Sequence, residues 1–143
     1  MDNLKLLIDL HKDGHRQGPG GDAQTELALD IAMVDRTAPL KVADIGCGTG
    51  ASTLVLARLL NARITAVDFI QDFLTLLRER AENAGVAERI STLACSMDSL
   101  PFADEDLDII WSEGAIYNIG FKKGVTEWRR LCIPRKVASH STR

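Results

Sequence analysis

The chain has 143 residues, with 17 Lys and Arg against 20 Asp and Glu and a formal net charge of -3. That leaves room for one domain and none of the clustered basic excess of a general nucleic-acid binder. Hydrophobic residues at 45% and charged residues at 26% exclude disorder by composition. No run approaches the ~18 apolar residues of a membrane helix, and the first residues lack a basic region followed by an apolar core and a cleavage site. Cys47, Cys95 and Cys132 are widely spaced and odd in number, which argues against a disulfide framework and for the cytoplasm.

In chain order, residues 2–12 are apolar enough for a short helix. The stretch GHRQGPGG at 14–21 carries four glycines and a proline in eight residues, so it reads as a loop. Asp22 is placed to cap a helix over about 23–36, with Leu27, Ile31 and Val34 at helical spacing. LKVADI at 40–45 is a buried strand, GCGTG turns the chain, and 51–61 is a helix. RITAV at 63–67 is a second strand ending at Asp68. A helix over 70–84 places Leu74, Leu77 and Ala81 on one face, with Gly85 as its stop. A third strand near 89–95 leads into the turn-rich SMDSLPFADED. A fourth strand covers 107–111, and a loop through 112–120 precedes a last helix near 121–131. This alternation predicts an α/β fold, a doubly wound parallel sheet with helices on both faces.

The informative segment is the glycine turn between the first strand and its helix. Glycines there let a ligand approach the backbone, and free amides at the following helix start favour a negative group. Asp68 closes the second strand 20 residues beyond Gly48, where nucleotide-binding folds of this kind place a carboxylate for ribose hydroxyls. Dinucleotide binders show G-x-G-x-x-G; here the glycines fall at 46, 48 and 50, and Asp44 stands two residues before the first. An acid at that point suits a cationic amino group and no phosphates, so an amino-acid-plus-adenosine ligand fits better than NAD.

VADIGCGTG at 42–50, AVD at 66–68, SMDSLPF at 96–102 and DIIWSEG at 108–114 resemble the successive motifs of class I S-adenosylmethionine-dependent methyltransferases. Within them, the chain is similar to the small-molecule enzymes of the ubiquinone/menaquinone-biosynthesis type, and RQGPG at 16–20 and WSEGAIYNIGF at 111–121 resemble one bacterial subgroup. The resemblance spans roughly 14–131. It implies a Rossmann-like fold, S-adenosyl-L-methionine as cofactor and a small-molecule methyl acceptor, with no nucleic-acid or membrane partner. Carried over by position, it puts Asp44 and the backbone of Gly46 and Gly48 on the methionine part of the cofactor. Asp68 takes the ribose hydroxyls, Phe69 lies against the adenine, and Met97 and Asp98 frame it. Ser112 and Glu113 lie beside the transferred methyl, and Arg16, Gln17 and Gly18 form part of a lid. Cys47 is grouped with the cofactor-binding turn; its thiol reads as a small filler, since nothing in the sequence supplies a base. Asp68 doubles as a possible helix cap, and Asp98 as a local turn former. Phe69 and Met97 divide evenly between ligand wall and core, and Trp111 and Trp128 read as core.

Methyl transfer chiefly requires alignment of the acceptor and exclusion of water. Glu113 is the candidate base where the acceptor must lose a proton, and Tyr117 divides evenly between the acceptor pocket and a loop anchor. His11 and His15 are four apart, but Gly14 interrupts their helix, so no metal site is expected. The acceptor itself is not legible, because the fold alone fixes none.

The domain divides as N-terminal helices and lid loop over 1–38, Rossmann-like core over 39–131 and an atypical tail over 132–143. The family's sheet has seven strands, in the order 3-2-1-4-5-7-6, and four are expected here. After Leu131 the resemblance stops at CIPRKVASHSTR, as if truncated or frameshifted, with a natural short form as the alternative. Two consequences follow. The fourth strand becomes an exposed edge able to pair with another chain, with uncovered apolar surface around Val125, Trp128 and Leu131. A binding-only, inactive methyltransferase remnant stands as the alternative function, and an NAD-linked oxidoreductase is disfavoured by the glycine spacing.

Overall fold

The computed structural model describes residues 6–9, 19–97, 99–113 and 128–133, with the backbone alone at 6–9, 19–21 and 113. Five parallel strands form one sheet. In chain order the elements are β1 (Leu6–Asp9), α1 (Pro19–Ile31), β2 (Leu40–Ile45), α2 (Ala51–Leu59), β3 (Ala62–Asp68), α3 (Gln71–Ala84), a single 3-10 turn at Ala87–Arg89, β4 (Ile90–Ala94) and β5 (Ile109–Glu113). The spatial order is β1-β5-β2-β3-β4. The four strands expected from sequence are all present in the Rossmann-like arrangement, and the glycine turn opens from β2 at the centre.

Strand pleating divides the apolar side chains into two cores. On one face Val42, Ile64, Ala66, Ile109 and Trp111 meet Leu29 of α1, Leu56 and Ala57 of α2, and Leu74, Leu77 and Ala81 of α3. On the other, Ala43, Ile45, Val67 and Ile110 meet Trp128, Leu131 and Cys132. Strands buried on both faces read as near-continuous apolar runs, which is why LKVADI shows no alternation. The α3 face over Leu74, Leu77 and Ala81 lies where its 3.6-residue spacing predicts. Gly85 ends that helix in the left-handed conformation, its amide donating to Ala81 and Glu82.

Four expectations change. Leu6–Asp9 is a strand, not part of a helix: an apolar run of this length suits either, and pairing with Ile110–Glu113 decides it. Helix α1 begins at Pro19, inside the stretch read as loop, because proline is pre-set for the first helical position. Asp22 is therefore in its first turn and not its cap. The buried face of α1 is Thr25 and Leu29, whereas Leu27 and Ile31 are exposed; the helical period was right and its phase was set by packing on α2.

The fourth change concerns the sheet edge. β1 lies beside β5, where the family order would put a fifth strand. At the other end of the same edge, Leu107 donates to Leu131 O and accepts from Ile133 N, both at 2.8 Å. The edge expected to be open is thus paired at Leu107 and from Ile110 to Glu113. Trp128 and Leu131, expected to be uncovered, are each 1% exposed; Val125 lies outside the described residues. Removing residues 1–9 should uncover β5 and produce concentration-dependent light scattering that the intact chain lacks. Equal scattering by the two chains would show that β1 does not protect the edge.

Candidate functional site

The carboxyl ends of β2, β3 and β5 converge on the turn Gly46–Gly50, the crevice where open α/β sheets bind ligands. Asp44 stands in β2 among apolar neighbours and is 1% exposed. Its Oδ2 accepts from Thr53 Oγ1 at 2.6 Å and Ser52 Oγ at 3.0 Å. A buried carboxylate requires such donors, and the first turn of α2 supplies them. Sequence reading passed over Ser52 and Thr53. Their signal was two hydroxyls at the start of an otherwise apolar helix, eight and nine residues after a strand carboxylate.

Asp68, at the end of β3, accepts from the Gly48 amide through Oδ2 and from the Ile70 amide through Oδ1, both at 2.9 Å. It thereby holds the glycine turn and the entry to α3 in fixed relation, and each oxygen keeps lone-pair capacity for a further donor. Three further turn amides are also committed: Gly46 and Cys47 donate to Val67 O, and Gly50 to Cys47 O. These turn amides are not left for a phosphate; the free donors expected from sequence belong to the start of α2, whose first amides have no acceptor within the helix. Arg80 of α3 adds a clamp from outside, donating to the carbonyl and hydroxyl of Thr49. Nothing in the sequence spacing links those two residues, because their meeting depends on how α3 packs.

The turn needs glycine for two different reasons. At Gly48, φ is +60° and the space a Cβ would enter is empty, so the backbone stays open toward the crevice. At Gly50, φ is +101° and a Cβ would run into Leu77 Cδ1, so this glycine lets α3 pack tightly against the turn.

The remaining assigned residues separate. Phe69 is 76% exposed at the end of β3, an aromatic face available to a ligand. Met97 packs against the second core with Leu93, Cys95, Leu100 and Phe102. Trp111 and Trp128 are fully within the cores. Ser112, near the end of β5, is fully buried and its Oγ meets no hydrogen-bond partner among the described residues; such orphans are rare and mark a place for a ligand or water. Glu113 ends β5. Arg16, Gln17, Gly18, Asp98 and Tyr117 lie outside the described residues, as do His11 and His15.

Cys47 is buried, and burial first, then the charges of Asp44 and Asp68, push its thiol far above the ordinary range. A thiol held protonated in this way is a poor nucleophile, and both carboxylates bear on the turn. The crevice is therefore an anionic place, suited to a ligand with positive charge.

Residues 42–135 match the model of a family described as Methyltransferase domain. The chain belongs to this family, the class I S-adenosylmethionine-dependent methyltransferases. Methyltransferase GfsG of Streptomyces halstedii is 32% identical over 92 residues, covering 64% of this chain and 32% of that protein. Among solved structures, the [4+2]-cyclase SpnF superposes with a TM-score of 0.72 at 23% identity, covering 90% of this chain and 49% of that one. A geranyl diphosphate methyltransferase solved in complex with GPP and sinefungin gives 0.68 at 22% identity, covering 79% and 42%. The chain spans about a third of the curated relative and under half of each structure. The family implies S-adenosylmethionine as cofactor.

Two measurements test this geometry. Gly50→Ala should lose about 1–3 kcal/mol in urea denaturation, from overpacking against Leu77 plus positive-φ strain. Gly85→Ala, with open space around it, should lose only about 1 kcal/mol. The second concerns pH. The Cys47 thiol ionises above roughly pH 8.5 in the unfolded chain but not in the folded one, so its stabilising contribution is complete below that pH and declines as pH rises. The melting temperature of the wild type should fall more steeply between about pH 8 and 10 than that of Cys47→Ala.

Proposed function

We propose that this chain binds S-adenosylmethionine at the carboxyl ends of β2, β3 and β5 and serves methyl transfer to a small-molecule acceptor. The observation that carries the reading is the glycine turn. Its amides at 46, 47, 48 and 50 are spent within the chain, and its surroundings present two carboxylates. Two carboxylates beside the turn suit an ammonium and a sulfonium better than a pyrophosphate. Ser112 Oγ, without a hydrogen-bond partner among the described residues, supports the fit from the β5 side.

Asp44, fixed by Ser52 and Thr53, and the backbone at Gly46 and Gly48 would hold the methionine portion. Asp68 would accept the ribose hydroxyls through its remaining lone pairs, and Phe69 would stack on the adenine. Met97, through its exposed part, and Asp98 would frame the adenine's other side, and Arg16, Gln17 and Gly18 would close over it. The bound cofactor supplies a methyl group on a positively charged sulfur. The protein's part is to align the acceptor and keep water out. Glu113, last in β5, would take the acceptor's proton where one is lost, and Tyr117 would line the acceptor pocket.

A small acceptor is favoured by a net charge of -3, which offers nothing to a nucleic acid. Among the described residues no helix is long and apolar enough to cross a membrane. The three free cysteines go with a cytoplasmic location.

Calorimetric titration with S-adenosylhomocysteine and with NADH tests the cofactor assignment. Binding of the first and not the second is expected, and Asp68→Asn should weaken it by about 1.5–3 kcal/mol while the folded state persists. Unchanged affinity in the folded variant would sink the ribose assignment, and NADH binding alone would overturn the whole reading. Transfer of labelled methyl groups to a panel of small acceptors then separates an active enzyme from a binding-only domain.

A further inference from the structure

The end of the sheet opposite the cofactor crevice carries a feature that methyl transfer does not use. A cleft of about 420 Å³ lies across the amino ends of β2 and β3, lined by Leu40, Lys41, Ala62, Arg63, Arg89 and Asp108 among others. This volume falls in the range of small-molecule pockets.

Sheet register explains how its charges come together. Lys41 pairs with Arg63 across β2 and β3. Ile64 pairs with Ile90, so Arg89, one residue before β4, follows Arg63 in the same row. Three cations thus stand at the starts of three neighbouring strands, which run about 4.8 Å apart. Like charges side by side on a sheet are destabilising, and only one member of the row is neutralised. Lys41 Nζ binds Asp106 at 2.7 Å, and the Lys41 amide donates to Asp108 Oδ2 at 2.8 Å. Arg89 spends one donor on the Leu60 carbonyl at 3.1 Å and meets no carboxylate among the described residues. Arg63 meets no partner at all among them. Asn61 contributes to the same wall and donates to Thr37 O.

We propose that this cleft is an anion site, in which Arg63 and Arg89 together bind the phosphoryl or carboxylate group of a small metabolite. Two adjacent guanidiniums present planar forks that match such oxyanions bidentately. The Leu60 carbonyl fixes Arg89, so less side-chain freedom is lost when the anion enters. The site sits at the other end of the strands from Asp44 and Asp68, and its ligand is distinct from both cofactor and acceptor. The assignment is independent of the methyltransferase reading.

The test is calorimetric titration of the full chain with inorganic pyrophosphate at constant ionic strength, followed by amide chemical-shift mapping. Saturable one-site binding is expected, with shifts centred on Ala62, Arg63 and Arg89. Arg63→Gln and Arg89→Gln should each weaken it about tenfold or more, while Asp68→Asn, at the far end of the sheet, leaves it unchanged. Circular dichroism checks that both variants fold. Citrate as competitor separates the sources: displacement extends the site to carboxylates, and failure to displace restricts it to phosphoryl groups, each within the proposed chemistry. Absence of saturable binding, or binding by the folded Arg63→Gln/Arg89→Gln double variant within about twofold of the wild type, overturns the proposal.

Discussion

A carboxylate inside an apolar strand is the constraint around which the centre of this molecule is arranged. Asp44 lies between Ala43 and Ile45 with 1% of its surface exposed, and a charge so placed is tolerated only where donors surround it. Ser52 and Thr53 are those donors, and they fix both the rotation and the distance of α2 relative to β2. The chain must then cover the path from Asp44 to Ser52 in a very tight reversal. Left-handed backbone at Gly46, Gly48 and Gly50 makes that reversal possible. Asp68 closes the arrangement from the neighbouring strand by holding the Gly48 amide. Turn, helix and strand end are thereby one hydrogen-bonded unit, stiff before any ligand arrives, as an aligning site requires.

How much of this was legible follows from the range over which each feature is determined. β2, the turn, α2, β3 and α3 are written in local patterns: an apolar run, alternating glycines, a 3.6-residue stripe, a terminal glycine. Asp44 and Asp68 stood out because each interrupts its pattern at a strand end. Phe69 and Met97 could not be told apart, since an apolar side chain beside a crevice reads the same whether it faces inward or outward. The exposed face of α1 was misjudged for a similar reason. Leu27 and Ile31 have helical spacing, but Thr25 and Leu29 are the residues that α2 and the sheet cover.

Features that depend on register were invisible. Nothing near Leu6 announces a partner at Ile110, and nothing near Lys41 announces Arg63 and Arg89 as its neighbours. Those juxtapositions exist only once the strands align, with Leu40 opposite Ala62 and Ile64 opposite Ile90. The hydroxyl of Ser112, unpartnered among the described residues, belongs to the same class: its type is ordinary, and only complete burial makes it informative.

The pairing of β1 with β5 has a kinetic meaning as well. Leu6 and Ile110 are about a hundred residues apart, so this junction has among the longest loop closures in the chain. Contacts of such separation form late and slow the search for the native state. During synthesis the first strand leaves the ribosome long before its neighbour exists, and must wait unpaired while β2, β3 and β4 assemble. At a few to some tens of residues per second that interval lasts on the order of 5–20 s. Within the described sheet the earliest strand thus joins the latest, and their ladder spans the longest sequence separation of the four.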